Sequence, residues 1–225
     1  MHRTSETRRR QTLRCSFCGA EIANGEGYWY CNGASICAVK YGQVVDNSMG
    51  FTPLEGLVMG TRCGDVDAGA LEYLSKKENL DFPQIMNILN QESGVLGLSK
   101  NLSSDFRELK DAEIKYNDTA ALAREIFAYR VAKYIGSYAA AMNGVDNIVF
   151  TAGVGENDSD IREEICSYLE FLGITIDEVK NREQGEAFRI SDGASKVNVL
   201  VIKTNEELEI AREAAQLVKE LKEKK

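Results

Sequence analysis

The sequence lacks, first of all, a long apolar run. No stretch of about 18 consecutive apolar residues occurs among its 225, so no membrane-spanning helix is expected. The start, Met1-His2-Arg3-Thr4-Ser5-Glu6, has no apolar segment behind its charges and does not read as a secretory signal. A basic surplus is lacking too: 27 Lys and Arg face 35 Asp and Glu, a formal net charge of −8. Nucleic-acid binding draws on clustered cations that release counterions. The one basic cluster, Arg8-Arg9-Arg10, is short and terminal, so neither a nucleic acid nor a membrane is expected as a partner. Cysteine is sparse: six scattered residues read as reduced thiols of a cytoplasmic protein rather than a disulfide framework. Nor is there an internal repeat.

What is present is ordinary for a globular chain. Apolar residues make up 44% and charged residues 28%, in a length that suits one sizeable domain with at most a small appendage. Residues 1–12 are polar and basic and read as disordered. Residues 13–31 form a separate patch, with a Cys-x-x-Cys knuckle at Cys15 and Cys18 and three consecutive aromatics, Tyr28, Trp29 and Tyr30. From Asn32 onward the texture is that of a regular α/β domain.

Segments 35–39 and 43–48 flank Tyr41-Gly42 as a hairpin. Residues 51–67 (FTPLEGLVMGTRCGDVD) are glycine-rich and aperiodic, a structured loop. Helices are predicted over 68–77 and 81–89, the second with Pro83 in its first turn, where a missing N–H costs nothing. The strongest helical signal spans 118–142. There Leu122, Ile126, Tyr129, Val131, Tyr134, Ile135 and Tyr138 recur at three- and four-residue steps behind Asp118 as N-cap. Segment 146–150 is a strand running into the loop TAGVGEN (151–157), and a helix follows with Ile161, Ile165, Leu169 and Leu172 on one face. Segment 197–202 is a second buried strand. A Thr204-x-x-Glu207 capping box and a last helix with a lysine-rich end complete the pattern. Strands alternating with helices indicate an α/β fold.

Three loops carry candidate chemistry. Gly153 and Gly155 let backbone N–H groups approach an anion or a flat ring, and Glu156 and Asn157 add polar side chains at the mouth of the next helix. A nucleotide loop at the carboxyl end of a strand is one reading; an ordinary glycine-rich turn is the other. Arg62, between small residues, is either a fork for a phosphoryl group in transfer or a surface cation paired with Asp65. Asp105 and Arg107 either grip a ribose or base, or cap the next helix. The residues alone reach an α/β domain with several glycine-rich polar loops suited to phosphoryl chemistry.

Four blocks extend this. NGASICAVKYGQVVDNSMGFTPLEGLVMGTRCGDVDAG (32–69), SGVLGLSKNLSSDFREL (93–109), VFTAGVGENDSDIRE (149–163) and VIKTNEELEIAR (201–212) resemble, in the same order, blocks of the acetate kinase family. The resemblance covers Asn32 to about residue 220. It implies an actin-like, sugar-kinase and Hsp70-type (ribonuclease H-like) fold of two domains around a cleft. This chain would supply an incomplete α/β part of it, a mixed sheet with flanking helices. Residues 1–31 would be a non-family segment and 32–225 the C-terminal nucleotide-binding domain. The resemblance further implies phosphoryl transfer between ATP and acetate, giving ADP and acetyl phosphate, with Mg²⁺, in a homodimer formed through this region. By the family's pattern, Arg62 stabilises the transferring phosphoryl group. Asn32 and Gly33 end a phosphate loop, and Asp105, Phe106 and Arg107 contact adenosine. Gly153, Val154, Gly155, Glu156 and Asn157 form a second nucleotide loop. Glu206 is the carboxylate that helps place the metal, a hard oxygen ligand of the kind Mg²⁺ prefers.

The chain departs from that pattern in its first part. The family's opening strand and Asn-Gly-Ser loop have no counterpart, and its histidine-rich segment is absent, the single histidine being His2. A catalytic Asp and a second phosphoryl-binding Arg are missing likewise. The family's His-Leu-Gly-Asn-Gly loop survives only as Asn32-Gly33, with bulky Trp29 and Cys31 where a donor and a glycine belong. Little or no activity is expected of the chain alone, and an apolar face left open would favour oligomers. Cys15 and Cys18 resemble a zinc knuckle, with Cys31 and Cys37 as further thiolates; unpaired thiols in a tail are the alternative. The competing readings are a related short-chain carboxylate kinase, a non-catalytic nucleotide-binding fragment, and a zinc module fused to a decayed kinase domain.

Overall fold

The computed structural model describes residues 34–204 throughout, the backbone at 12–14 and 21–23, and the helical positions 211, 212, 214, 215 and 219. Cys15, Cys18, Cys31, Asn32, Gly33, Glu206 and Glu207 lie outside the described residues, as does most of the expected last helix.

Two short strands, β1 (Thr12–Arg14) and β2 (Glu21–Ala23), pair antiparallel. The hairpin predicted around Tyr41-Gly42 is formed by β3 (Cys37–Lys40) and β4 (Gln43–Asn47). Both turn residues have positive φ, 51° and 83°, which matches the twist of paired strands. Residues 48–67 hold no helix or strand, as expected.

The helices that follow begin on local caps. In α1 (Ala68–Glu78), Asp67 accepts from the Gly69 N–H at 2.8 Å. In α2 (Phe82–Gln91), Asp81 and Gln84 form a reciprocal capping box, with Pro83 in the first turn. Two shorter helices follow, α3 (Gly94–Leu98) and α4 (Phe106–Ile114).

The central helix, α5 (Asp118–Met142), runs for 25 residues. Its cap is Asn117, not Asp118: the Asn117 carboxamide oxygen accepts from the Thr119 and Ala120 N–H groups. Its buried face also differs from the predicted one. Leu122 and Tyr129 are 49% and 48% exposed, whereas Ala120, Ala123, Phe127, Ala128, Val131, Ala132, Ile135 and Ala139 are buried. Val131, Ile135 and Tyr138 of the predicted set are buried, and alanines between them let neighbouring elements approach. Around α5 pack α3, α4 and β3.

The remainder is a β–α–β arrangement. β5 (Asn147–Phe150) leads through α6 (Ala152–Asn157) into α7 (Ser159–Ser167), a 3-10 turn at Glu170–Leu172, and α8 (Glu178–Asn181). β6 (Ala187–Arg189) and β7 (Asn198–Ile202) complete a sheet of order β5-β7-β6. β7 is parallel to β5 and antiparallel to β6, so the sheet is mixed. Ile161 and Ile165 of α7 and Leu169 just beyond it are buried as predicted, and Leu172 is half-buried against the core. No helix among the described residues is long and apolar enough to cross a membrane.

Candidate functional site

The loop carrying Arg62 is held on both sides by backbone hydrogen bonds. Cys63 N donates to Leu89 O at the end of α2, and Ser93 N to Thr61 O. At the start of α3, Val95 N and Leu96 N donate to Met59 O and Gly60 O at 2.8 and 3.0 Å. This close approach needs a glycine. Gly94 has φ +64°, and a Cβ on it would lie 2.3 Å from Met59 O.

On this fixed loop the Arg62 guanidinium has one polar neighbour among the described residues, Met59 Sδ, 3.8 Å from Nη1. The alternative reading, a pair with Asp65, does not occur. Asp65 accepts from the Gly56 N–H at 2.9 Å and the Tyr134 hydroxyl at 2.7 Å, and forms an ion pair with Arg130. Burial, then the Asp65 carboxylate, push the Tyr134 hydroxyl above the ordinary phenol range. With Asp65 engaged and Asp67 capping α1, Arg62 has no carboxylate partner among the described residues.

Asp105 and Arg107 sit at the head of α4. The Asp105 carboxylate accepts from the Arg107 N–H at 2.8 Å and from its guanidinium, Nη2 at 2.6 Å. Hydrogen bonding to Arg107 holds the Asp105 carboxyl below the usual range. In this state the pair caps the helix, and the Arg107 side chain is 88% exposed. Phe106 is half-buried, its ring 4.5 Å from that of Phe127, and fastens the head of α4 to the core.

TAGVGEN, expected as a loop, is helical from Ala152. The turn into it is strained: Ala152 has φ +56°, in the left-handed region. Glu156 stabilises that turn. Its Oε1 accepts from the Ala152 N–H at 2.7 Å and from the Thr204 N–H at 2.8 Å, joining the turn to the end of β7. The two glycines serve different ends. A Cβ on Gly155 would meet the Phe150 backbone at 3.4 Å, whereas one on Gly153 would meet nothing within 4 Å. Gly155 therefore packs the helix on its strand, and Gly153 presents bare backbone. Val154 is half-buried against the core, and Asn157 Nδ2 donates to Gly153 O at 2.8 Å. Beneath the turn, Thr151 Oγ1 is buried with no hydrogen-bond partner among the described residues.

Sequence reasoning missed Arg162. It is 2% exposed, and its Nη1 donates to Gly155 O and Glu156 O, both at 2.9 Å, closing the carboxyl end of α6. An arginine between Ile161 and Ile165 on an inward helix face was the available signal.

The three loops are joined by direct contacts. A Cβ on Gly60 would lie 3.2 Å from Ser104 O, so the Arg62 loop borders the head of α4. One turn along α4, Lys110 reaches Asp158, the residue after Asn157, at 3.4 Å. A cleft of about 200 Å³ opens beside α6; of the nominated residues, Glu156 and Asn157 line it.

Among the described residues no group of three or more His, Cys, Asp or Glu side chains is placed to hold a metal. Cys37, considered as a zinc thiolate, is buried in β3, and its Sγ accepts from Asn47 Nδ2 at 2.8 Å. Arg62 without a carboxylate partner among the described residues and the bare backbone at Gly153 are features suited to an anionic ligand.

The sequence pattern of the acetokinase family matches residues 28–212. The chain is 57% identical over 187 residues to the acetate kinase of Lachnoclostridium phytofermentans, covering 83% of this chain and 47% of that one. It is 58% identical over 192 residues to the acetate kinase of Helicobacter hepaticus, covering 85% and 48%. The crystal structure of Porphyromonas gingivalis acetate kinase superposes with a TM-score of 0.81 at 43% identity, over 93% of this chain and 49% of that one. A propionate kinase from Francisella tularensis gives 0.77 at 44% identity, over 84% and 48%. The chain thus spans about half the length of the curated relatives it matches. These likenesses bear out the expected fold class, an actin-like α/β arrangement with a mixed sheet and flanking helices.

Proposed function

The chain belongs to the acetokinase family, and on that premise we propose that it forms the nucleotide-binding side of a phosphotransferase. The reaction is transfer of a phosphoryl group between ATP and acetate, giving ADP and acetyl phosphate. The observation that carries this reading is the open Arg62 guanidinium on a backbone-fixed loop. Phosphoryl transfer is catalysed by positioning and charge neutralisation. A cation on a fixed loop, without a carboxylate partner among the described residues, is ready for the anionic oxygens of the group in transfer.

The head of α4 (Asp105, Phe106, Arg107) and the face of α6 at Gly153 and Val154 form the two walls of the adenosine site. Glu156 holds the strained turn, and Gly155 and Asn157 shape α6 rather than touching the ligand directly. Asn32 and Gly33, at a phosphate loop, and Glu206, toward Mg²⁺, complete the assignment from outside the described residues. Mg²⁺ when bound neutralises phosphate charge; the described side chains bind and orient the nucleotide. A homodimer through this region accompanies the assignment. Propionate is the alternative carboxylate, because a propionate kinase is among the structural neighbours.

A second reading, a nucleotide-binding unit with little turnover of its own, is favoured by the coverage of about half of each relative. A hydroxamate assay on this chain giving turnover of about 1–10³ s⁻¹ would rule it out.

Calorimetric titration of Mg·ADP into the wild type and Gly153→Trp tests the main proposal. A Cβ at Gly153 enters open space, so a tryptophan there is expected to leave the fold intact while covering the nucleotide face. Binding by the wild type that is lost in a folded Gly153→Trp is the expected result. Equal binding by both would remove α6 from the site.

A further inference from the structure

A ring of four charged side chains links the two walls assigned to the nucleotide, and none of them is among the assigned ligand contacts. Lys110, one turn into α4, reaches Asp158 Oδ1 at 3.4 Å and Asp160 Oδ2 at 2.8 Å. Asp158 Oδ2 accepts from Arg124 Nη1 at 2.6 Å, and Arg124 Nε donates to Glu113 Oε2 at 2.5 Å, back on α4. Signs alternate around the ring: Lys110, Asp158, Arg124, Glu113.

Burial makes the geometry consequential. Arg124 is 2% exposed and Asp158 6%. Ions withdrawn from water are tolerated only where their partners are well placed. Asp158 also caps α7, accepting from the Ile161 N–H at 3.3 Å, and its own N–H donates to Val154 O at 3.0 Å. It is therefore the joint at which α6 ends and α7 begins. Lys110 and Glu113 lie about one and two turns along α4 from Asp105–Arg107. The ring connects the helix bearing one wall to the residue that terminates the other.

We infer that Lys110, Arg124 and Asp158 are positioning residues, setting the spacing between the α4 and α6 walls; this rests on the assignment of those walls to nucleotide. Hydrophobic packing alone would hold α4 to the core, through Phe106 on Phe127 and through buried Leu109. Those contacts anchor α4 to α5, not to α6. The tie from α4 to the end of α6 is ionic, and Lys110, at 30% side-chain exposure, is its cationic member on α4. A wall free to shift loses the geometry of its ligand contacts while the α4–α5 packing that holds the fold stays in place.

The test is calorimetric titration of Mg·ADP into wild type, Lys110→Met, Lys110→Arg and Ile190→Val, with thermal midpoints measured in parallel. Methionine keeps the aliphatic stem and removes the charge. Lys110→Met is expected to weaken binding about fivefold, the equivalent of one part-exposed ion pair. Lys110→Arg should return affinity to within about twofold of wild type. Ile190→Val loosens the core without touching the ring, so it should lower the midpoint and leave the dissociation constant unchanged. Wild type and Lys110→Met binding equally would overturn the inference. So would equal weakening by Lys110→Met and Ile190→Val, since affinity would then follow stability alone. Failure of folded wild type to bind Mg·ADP would overturn the nucleotide assignment, and this inference with it.

Discussion

Replacing Arg162 by methionine isolates the largest internal polar contribution to the α6 turn. The guanidinium makes four hydrogen bonds: to Asn181 Oδ1, Gly155 O and Glu156 O at 2.9 Å, and to Asn181 O. Hydrogen bonds from a charged donor contribute about 1.5–3 kcal/mol each, so four amount to roughly 6–12. Against them stands the desolvation of a buried cation, several kcal/mol, which lowers the Arg162 pKa from its usual range. Methionine removes both terms and leaves the carbonyls of Gly155, Glu156 and Asn181 without this donor. The expected net loss is about 3–5 kcal/mol. With a urea slope near 2 kcal/mol/M, the denaturation midpoint should fall by about 1.5–2.5 M. Arg162→Lys keeps the charge but not the planar fork, and should fall between. A loss below about 1 kcal/mol for Arg162→Met would mean that desolvation cancels the bonds, and that the turn is held by Glu156 alone.

Other perturbations separate backbone strain from side-chain crowding and exposed thiols from buried ones. Gly94→Ala forces a Cβ to 2.3 Å from a backbone oxygen at φ +64°, whereas at Gly173, φ +77°, the obstacle is the flexible Lys196 side chain at 2.7 Å. Thermal melts should show a cost of about 3 kcal/mol or more for the first and about 1 for the second; equal costs would contradict this. Burial pushes the Cys166 thiol up to about 12. Iodoacetamide at neutral pH should therefore spare it; half-buried Cys63, which burial also raises, should label slowly but before Cys166, as read by peptide mapping. A thiol near its ordinary value of about 8.5 when unfolded ionises first in the unfolded chain. This contribution to stability is thus complete below about pH 8.5 and declines as pH rises towards 12. Midpoints at pH 8 and pH 10.5 check the sign, and a higher midpoint at pH 10.5 would refute it.

Much of the fold was legible because it depends on local signals. Tyr41-Gly42 between alternating strands, Asp81 with Pro83 and Gln84, and the inward Ile161, Ile165 and Leu169 each announce their element. The inner face of α5 was only partly legible by size: Val131, Ile135 and Tyr138 are buried on it as expected, but five alanines share it and Leu122 and Tyr129 face outward. β6 was missed: three residues, none of them buried, leave no periodic trace. The helical start of TAGVGEN was hidden for a different reason. Its two glycines read as loop, but Glu156 reaches back to Ala152 and stabilises a turn that local propensity disfavours.

The candidate site turned on which arginines near the loops are left open, a question that no sequence window answers. Arg62, Arg124, Arg130 and Arg162 all lie near acidic or polar neighbours in the chain. The fold closes three of them: Arg124 on Asp158 and Glu113, Arg130 on Asp65, and Arg162 on carbonyls of α6 and Asn181. Arg62 meets only a thioether among the described residues, because its nearest sequence carboxylate is turned toward α5. A residue kept for an external anion should contribute little to folding, whereas one that satisfies internal acceptors should contribute much. Arg62→Ala is therefore expected to change stability by no more than about 0.5 kcal/mol, beside several for Arg162→Met. If Arg62→Ala instead cost above about 1.5 kcal/mol in urea denaturation, Arg62 would belong with the structural cations. The phosphoryl group would then need another positive partner.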